Sequence, residues 1–269
     1  MNLREQLIYK KRIVIKVGTS SLTYPNGKLN FQRIEMLAKV LAEIQADGRE
    51  VILVSSGAMA VGSGRLGLKE RPTDLAGKQA LAALGQAELI RIYQKFFDDY
   101  HQIVAQVLLT KDGLIRKEQR INAQNTINML LSMKIIPIIN ENDTVSTEEI
   151  EFGDNDTLSA YVAVLSNADL LVLLSDIDGM YSADPKKDAN ASIIPEINSI
   201  TGEIEKMATG AGSSFGTGGM ATKVSAAREC LKNCIDTIIA NGSNPEVIKD
   251  ILDGKVLGTL FTANKLESK

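Results

Sequence analysis

The sequence predicts an α/β protein built on an open, doubly wound sheet of mostly parallel strands with helices on both faces. Two observations lead to this fold class. Short runs of β-branched and apolar residues recur along the 269 residues, and amphipathic segments lie between them. Runs that are apolar on both faces are typical of buried parallel strands, and their alternation with helices is typical of a doubly wound sheet. Because no repeat and no linker interrupts this pattern, we expect residues 1–269 to form a single domain.

Six apolar runs are the predicted strands, and they cover residues 12–17, 51–55, 103–109, 135–139, 170–175 and 235–240. Residues 31–46 have the pattern of an amphipathic helix that begins after Asn30 as its N-cap and ends before Gly48. Further helices are expected at 118–133, 196–208 and 220–233, and loops at the rim of the sheet at 144–153 and 178–195.

The composition is that of an ordinary globular protein. The net charge is −3 and the basic residues are scattered, which argues against the basic stripe of a nucleic-acid-binding protein. The N-terminal segment mixes charges into its apolar residues, and no apolar run approaches the ~20 residues of a membrane span. We therefore expect a cytoplasmic protein that acts on small molecules, with no nucleic-acid or membrane partner.

Chemistry based on histidine or cysteine is disfavoured by residue count. His101 is the single histidine and lies at the start of a predicted strand, where a structural role is expected. Cys230 and Cys234 are four residues apart on a predicted helix without another Cys or His nearby, so we interpret them as half-buried thiols. A Ser-His-Asp triad and an H-E-x-x-H zinc site are both disfavoured, which leaves lysines, carboxylates and amides as the candidate functional groups.

Small polar residues and glycines follow the first two predicted strands. Ligands in open α/β sheets bind beyond the carboxyl ends of the strands. Lys16 lies at the end of the first strand and Gly18 follows it, which fits an anion site and, equally, an ordinary turn with a surface lysine. Ser55, Ser56 and Gly57 lie at the end of the second strand, where a helix N-terminus can hold a carboxylate or a phosphate.

A G-x-G-x-x-G pattern occurs at Gly62, Gly64 and Gly67. In a dinucleotide-binding fold this pattern begins where the strand ends, whereas here residues 58–61 intervene. We therefore do not interpret these glycines as an NAD-binding fingerprint.

The segment after the fourth strand, residues 140–156, contains seven carboxylates and neither lysine nor arginine. A solvated acidic loop explains its central glutamates, Glu148, Glu149 and Glu151. It explains less well the polar residues at the end of the strand and the start of the next helix, although Asp154 or Asp156 could cap that helix. Those residues are Asn140, Asp143, Asp154, Asn155 and Asp156. The seven carboxylates of residues 140–156 would repel a purely anionic ligand. We therefore expect a ligand that carries a free amino group or brings Mg²⁺.

Two later segments are candidates for nucleotide contact. Ser175 ends the fifth strand and Asp176 follows it, in a segment that a plain β-turn also explains. The stretch GTGGMATK, residues 216–223, fails the G-x-x-x-x-G-K-[ST] pattern because Thr222 precedes the lysine. Lys223 lies in the first turns of the next predicted helix, where it could meet phosphate oxygens, but a flexible loop with an exposed lysine explains this stretch equally well.

Taken together, the strand-end motifs resemble those of the amino acid kinase family. Nine blocks follow the family's order from residue 13 to about residue 261: IVIKVGTS, VSSGAMAVG, KQALAALGQ, LLT, IPIINENDTV, FGDNDTLSA, LLSDIDGMYSADP, GTGGMATK and DTIIANG. The resemblance implies a three-layer αβα sandwich with a mostly parallel open sheet. The blocks are most similar to those of family members that phosphorylate the γ-carboxylate of L-glutamate with MgATP, giving L-glutamyl 5-phosphate in the first step of proline biosynthesis.

The resemblance also implies roles for individual residues. Lys16 and Lys223 match two cations that flank the transferred phosphoryl group, and Asp156 matches a catalytic carboxylate that orients them. The positions that match glutamate binding are Ser56, Gly57, Asn140, Asp143, Asp154 and Asn155. The positions that match ATP binding are Lys16, Gly18, Ser175, Asp176, Thr217, Gly218, Gly219, Met220, Ala221, Thr222 and Lys223. We expect residues up to about 165 to bind glutamate, residues 166–269 to bind ATP, and Mg²⁺ to be carried by the ATP phosphates without a protein metal site.

Other expectations and the alternatives also come from the resemblance. It implies a homo-oligomer, a dimer or a tetramer, with feedback inhibition by proline. The sequence departs from the family pattern in one respect, since we expect a form without the small C-terminal PUA domain that many such family members carry. The alternatives are another family member that acts on acetylglutamate, aspartate, carbamate or a phosphate acceptor, and a non-catalytic amino-acid sensor with the same fold. The presence of Lys16, Asp156 and Lys223 together argues against the sensor.

Overall fold

The computed structural model describes residues 2–24, 27–68, 70–145, 155–185, 187–188, 190–210 and 219–262. Within these residues, eight strands form one continuous sheet. The strands are β1 (Arg12–Val17), β2 (Glu50–Ser55), β3 (Val104–Leu109), β4 (Ile136–Glu141), β5 (Leu170–Ser175), β6 (Glu196–Ile197), β7 (Asp236–Asn241) and β8 (Thr259–Phe261). Their order across the sheet is β3-β4-β2-β1-β5-β7-β8-β6.

The sheet is mostly parallel, as the sequence predicts. Neighbouring strands pair in parallel except for β7 and β8, which are antiparallel. The six predicted strands are confirmed to within two residues at each end. Strands β6 and β8 were not predicted, because two or three residues are too few to show a strand pattern.

The helices occupy both faces of the sheet. They are α1 (Thr19–Leu22), α2 (Phe31–Ala46), α3 (Ala58–Leu66), α4 (Leu75–Asp98), α5 (Lys111–Ile115), α6 (Lys117–Ser132), α7 (Asn155–Leu165), α8 (Gly202–Gly210), α9 (Met220–Lys232) and α10 (Val247–Leu252), with a 3₁₀ helix at Glu5–Tyr9. Asn30 caps α2 as predicted, since its side chain accepts a hydrogen bond from the backbone N–H of Arg33.

Two separate apolar cores, one on each face of the sheet, make three layers. The core on one face includes Ile13 and Ile15 and is covered by α2, α4 and α10. The core on the other face includes Val14 and is covered by α6, α7 and α9. Because side chains alternate along a strand, Lys16 lies on the same face as Val14, which is the face of α7 and α9. The three-layer αβα sandwich is therefore confirmed, and the alternation in β1 directs Lys16 towards two particular helices.

Helices α3 and α4 cross in close contact, and glycines make the contact possible. A Cβ atom at Gly85 would lie 1.7 Å from the carbonyl oxygen of Ala58, and one at Gly62 would lie 2.2 Å from that of Leu81. Gly67 ends α3 in the left-handed conformation with φ of 63°. The G-x-G-x-x-G pattern therefore belongs to a helix, where it serves packing and helix termination.

We expect Gly85→Ala to destabilise the protein by about 1–3 kcal/mol, the usual cost of forcing an extra group into a packed site. Urea unfolding of the variant measures this loss. Gly64→Ala is the matched control, because a Cβ at Gly64 in α3 would have no neighbour within 4 Å. That control should be neutral or stabilising, since alanine favours helix more than glycine does. Equal stability of the two variants would contradict the proposed role of the glycine contact.

Three smaller predictions are wrong. Cys230 is buried in α9, but Cys234 lies beyond the end of that helix and is exposed, so the two thiols do not share a helix. His101 lies in the turn before β3 and is exposed, with a positive φ of 54°. Residues 196–197, which were expected to be helical, form β6, and the helix after them begins at Gly202. In each case tertiary contacts or a chain reversal override the local pattern.

Candidate active site

Lys16, Asp156 and Lys223 meet in a buried cluster. The Asp156 Oδ1 atom lies 2.5 Å from Lys16 Nζ, and Oδ2 lies 2.9 Å from Lys223 Nζ. Lys16 comes from the end of β1, Asp156 from the first turn of α7, and Lys223 from the first turn of α9. One carboxylate thus holds two ammonium groups from opposite sides, and residues that are 140 and 67 positions apart in the chain form one unit.

The charges in this cluster are almost fully removed from solvent. The exposed fraction is 0% for Asp156, 5% for Lys16 and 4% for Lys223. Burial alone would raise the pKa of Asp156, but attraction and hydrogen bonding by Lys16 and Lys223 outweigh burial, so this pKa is lowered. The carboxylate is therefore ionised at neutral pH. Two lysines share its charge, so the cluster carries an excess of positive charge that suits a polyanion.

Thr222 adds a third contact to the same carboxylate. Its hydroxyl lies 3.0 Å from Asp156 Oδ2 and 2.7 Å from the carbonyl oxygen of Gly219. Thr222, which is predicted to bind ATP, thus contacts the Asp156 carboxylate with its side chain, as Lys16 and Lys223 do. Met220 packs into the core and Ala221 is exposed on the first turn of α9.

A second group of polar side chains, called the amide group below, lies at the start of α7 and consists of Ser56, Asn140 and Asn155. The Asn155 Nδ2 atom lies 2.9 Å from the carbonyl oxygen of Ser55, 2.8 Å from Ser56 Oγ and 2.8 Å from Asn140 Oδ1. Asn155 and Asp156 are consecutive residues in the first turn of α7. The side chain of Asn155 lies in the amide group, and that of Asp156 lies between the two lysines. Three residues predicted to bind glutamate are therefore in contact.

Gly57 and Gly18 lie just after the ends of β2 and β1. Gly57 precedes α3 with φ of 100°, a left-handed conformation that favours glycine, and lets the chain turn directly into the helix. A Cβ at Gly18 would lie 3.6 Å from Lys16 Nζ, an ordinary van der Waals distance, so Gly18 lies directly beside the ammonium group. The binding roles predicted for both glycines stay predictions.

Asp143 lies on the rim of a pocket of about 250 Å³ between α4, β3 and the chain after β4. It is half-buried, and Gln86 and Asn142 also line the pocket. This pocket adjoins the amide group, because the side chain of Gln86 contacts Asn140. Asp154, also predicted to bind glutamate, lies outside the described residues.

The predicted nucleotide side is built from the ends of β5 and β7. Ser175 is buried, and its hydroxyl lies 3.1 Å from Oδ1 of the exposed Asp176. The backbone N–H of Gly242, just after β7, donates to the carbonyl oxygen of Ser175. Next to this position, Asn241 donates to Asp178 at 2.7 Å. Gly219 is the N-cap of α9, whereas Thr217 and Gly218 lie outside the described residues.

The sequence analysis missed Gln86, which is buried and contacts Asn140 directly. It also missed Tyr93, whose hydroxyl lies 2.9 Å from that of Ser55. Burial raises the pKa of the Tyr93 hydroxyl well above its usual value. Gln86 and Tyr93 lie in the middle of α4, where the pattern indicates packing. The signal for Gln86 was its place in the KQALAALGQ block.

No helix among the described residues is both long and apolar enough to cross a membrane. Nor does that part of the chain hold a group of three or more histidine, cysteine, aspartate or glutamate side chains placed to bind a metal ion.

Buried lysines around a carboxylate at the carboxyl edge of a parallel sheet define a phosphotransferase type of site. The model of the Amino acid kinase family matches residues 11–241, and the chain belongs to this family. A Clostridium perfringens protein named glutamate 5-kinase is 52% identical over 269 residues, covering 98% of this chain and 100% of its own. Glutamate 5-kinases from Listeria welshimeri and Enterococcus faecalis are 55% and 51% identical, each over 99% of this chain and 98% and 100% of theirs.

Solved structures with low sequence identity share the fold. A UMP kinase from Bacillus anthracis has a TM-score of 0.63 at 18% identity, covering 95% of this chain and 97% of its own. A carbamate kinase from Giardia lamblia bound to AMP-PNP has a TM-score of 0.67 at 16% identity, covering 96% of this chain and 100% of its own.

Proposed function

We propose that this protein transfers the γ-phosphoryl group of ATP to the γ-carboxylate of L-glutamate, giving L-glutamyl 5-phosphate and ADP in the first step of proline biosynthesis. The observation that carries the proposal is the buried Lys16–Asp156–Lys223 cluster in a chain more than half identical to proteins named glutamate 5-kinase. Those relatives favour glutamate over acetylglutamate, aspartate or carbamate as the acceptor.

The chemistry matches the functional groups present. A carboxylate attacks phosphorus as it stands, so the reaction needs no general base and no histidine. It needs the two reactants to be aligned and the charge on the transferred group to be neutralised. Lys16 and Lys223 are the neutralising groups, and Asp156 holds both ammonium groups in place before the substrates bind. Pre-organised charges stabilise a transition state without the cost of reorienting water.

The acceptor site in this proposal is the amide group and the adjoining pocket. Ser56, Asn140 and Asn155 are already joined by hydrogen bonds that fix their positions relative to Asp156. Asp143 would pair with the α-ammonium group of glutamate, which an N-acetylated substrate lacks. Asp154 is proposed as a second carboxylate at this end of the site.

The nucleotide site is proposed at the ends of β5 and β7 and at the start of α9, with Ser175, Asp176 and residues 217–223. Mg²⁺ would arrive on the ATP phosphates and neutralise their charge, while the protein supplies Lys16 and Lys223, with Gly18 beside the Lys16 ammonium group. We further propose a cytoplasmic homo-oligomer that proline inhibits.

A turnover assay with MgATP tests the proposed function. The acceptors are glutamate, N-acetylglutamate, aspartate, carbamate and UMP, with ADP release as the readout and hydroxylamine present to trap an acyl phosphate as its hydroxamate. We expect ADP release and hydroxamate with glutamate and much lower rates with the other acceptors. Turnover that depends on another acceptor, or none with glutamate, would overturn the proposal.

A further inference from the structure

Gln86 lies outside the residues assigned to glutamate or ATP, yet its side chain is buried beside the acceptor site. It lies on the inner face of α4, and its Oε1 accepts a hydrogen bond of 2.7 Å from Asn140 Nδ2. Asn140 in turn contacts Asn155, and Asn155 contacts Ser56. The side chains form a chain of hydrogen bonds that begins at Gln86 in the helix layer and ends at the predicted glutamate contacts.

Backbone groups fix the direction of every hydrogen bond in this chain. The N–H of Glu141 can only donate, and it lies 2.9 Å from Asn140 Oδ1, so Nδ2 of Asn140 must face Gln86. The carbonyl oxygen of Ser55 can only accept, so the group of Asn155 that faces it is Nδ2. Asn140 therefore needs an acceptor on its α4 side, and Gln86 presents one.

The Nδ2 group of Asn155 is shared among more oxygens than it has hydrogens. It has two N–H bonds, but three oxygens lie within 2.9 Å of it: those of Ser55, Ser56 and Asn140. Asn140 Oδ1 is the contact that joins Asn155 and Ser56 to β4 and, through Asn140, to Gln86. If Asn140 moves, Asn155 keeps Ser55 and Ser56 as acceptors, but the position of Asn140 relative to Asn155 and Ser56 is no longer fixed.

We propose that Gln86 is a positioning residue for the acceptor substrate, acting through Asn140 on Asn155 and Ser56. The inference rests on the proposed function, because the acceptor taken is glutamate. Within the described part of the chain, Gln86 does not contact the lysine cluster or α9, so a change of Gln86 should weaken the binding of glutamate and leave the binding of ATP unaffected.

Steady-state kinetics of Gln86→Met tests this role, because methionine has a similar length and cannot accept the hydrogen bond of Asn140. We expect the KM for glutamate to rise about 10-fold or more, which is the scale of one unsatisfied buried polar group. The KM for ATP should stay within about twofold. Gln86→Glu keeps an acceptor oxygen and should restore part of the loss. Gln94→Met is the matched control, since Gln94 is an exposed glutamine further along α4.

A double-mutant cycle separates positioning from general damage. If Gln86 acts through Asn140, Gln86→Met should change the KM for glutamate much less in an Asn140→Ala background than in the native protein. Gln86→Asn, which draws the oxygen back by one methylene, replaces Gln86→Met in the cycle if that variant folds poorly, as judged by circular dichroism.

The outcomes distinguish this inference from the function on which it rests. An unchanged KM for glutamate in a folded Gln86→Met, equal rises in both KM values, or fully additive effects in the cycle would each overturn the positioning role while the kinase function stands. Absence of glutamate-dependent turnover in the native protein would remove the proposed function and this inference with it.

Discussion

Asp156→Asn should lower kcat for the glutamate-dependent reaction by about two orders of magnitude or more, and should also destabilise the protein without nucleotide. The kinetic loss follows because the amide cannot hold Lys16 and Lys223 in their pre-organised positions, and one misplaced stabilising group typically costs 10²–10³ in kcat. The loss of stability, about 3–5 kcal/mol, follows because two buried ammonium groups would remain without a counter-charge.

Nucleotide phosphates should supply the counter-charge that this variant lacks. We therefore expect MgADP to raise the melting temperature of Asp156→Asn more than that of the native protein, measured by thermal unfolding at equal saturation. Asp250→Asn is the matched control, because it removes the same charge from an exposed ion pair with Lys255. Such pairs contribute about 0–1 kcal/mol, so the control should resemble the native protein. Equal stability and kcat in the two variants would refute the structural account of the cluster.

Asp156 should contribute to the loss of stability of the folded protein at acidic pH. Its pKa is lowered in the folded protein, so the unfolded chain takes up a proton first as the pH falls. The contribution to stability is therefore fully present above the unfolded value of about 3.9 and is lost as the pH falls through the lower, folded value. Urea unfolding between pH 6 and pH 2 should show a steeper loss for the native protein than for Asp156→Asn. Parallel curves would contradict this sign.

Lys223→Ala should lower kcat by about two orders of magnitude or more while the KM for glutamate changes little. The reason is that Lys223 lies opposite Lys16 across Asp156 and is expected to meet charge that develops on the transferred phosphoryl group. An interaction made in the transition state alone lowers kcat without a matching change in ground-state binding. Steady-state kinetics with glutamate and ATP varied in turn measures both parameters.

Lys232→Ala is the matched control for Lys223→Ala, since Lys232 is an exposed lysine at the other end of α9. It removes the same charge from the same helix and should leave kcat within about twofold. An unchanged kcat in Lys223→Ala would exclude a role for this lysine in the transition state. A rise confined to the KM for ATP would assign it to nucleotide binding instead.

Most of the fold could be predicted from local patterns. The runs of residues 12–17 and 170–175 became strands with the predicted ends, because a buried parallel strand is apolar on both faces and stands out in the sequence. Helix α2 was predicted with both ends, since Asn30 and Gly48 mark them. Strands β6 and β8 exist only through pairing with each other and with β7, so no local pattern could indicate them.

The candidate site divides in the same way. The sequence identified Lys16, Asn140, Asn155 and Asp156 because each lies where a strand ends or a helix begins, and parallel strands bring those points to one edge. The GTGGMATK stretch taken alone was compatible with a flexible loop and with a phosphate site, and the family resemblance was needed to predict that it binds ATP. Gln86 ends the KQALAALGQ block, but a glutamine in the middle of a packed helix does not by itself indicate which side chain it contacts, so its hydrogen bond with Asn140 was not predicted.

By itself, therefore, the sequence determined the layers, the mostly parallel direction of the strands and the types of functional group available. Only the tertiary structure decided that Lys16 and Lys223 contact different oxygens of Asp156, and that Gln86 accepts a hydrogen bond from Asn140. The physical reason is that apolar periodicity is a local property of a few consecutive residues. An ion pair or a directed hydrogen bond depends on which elements the sheet order makes neighbours.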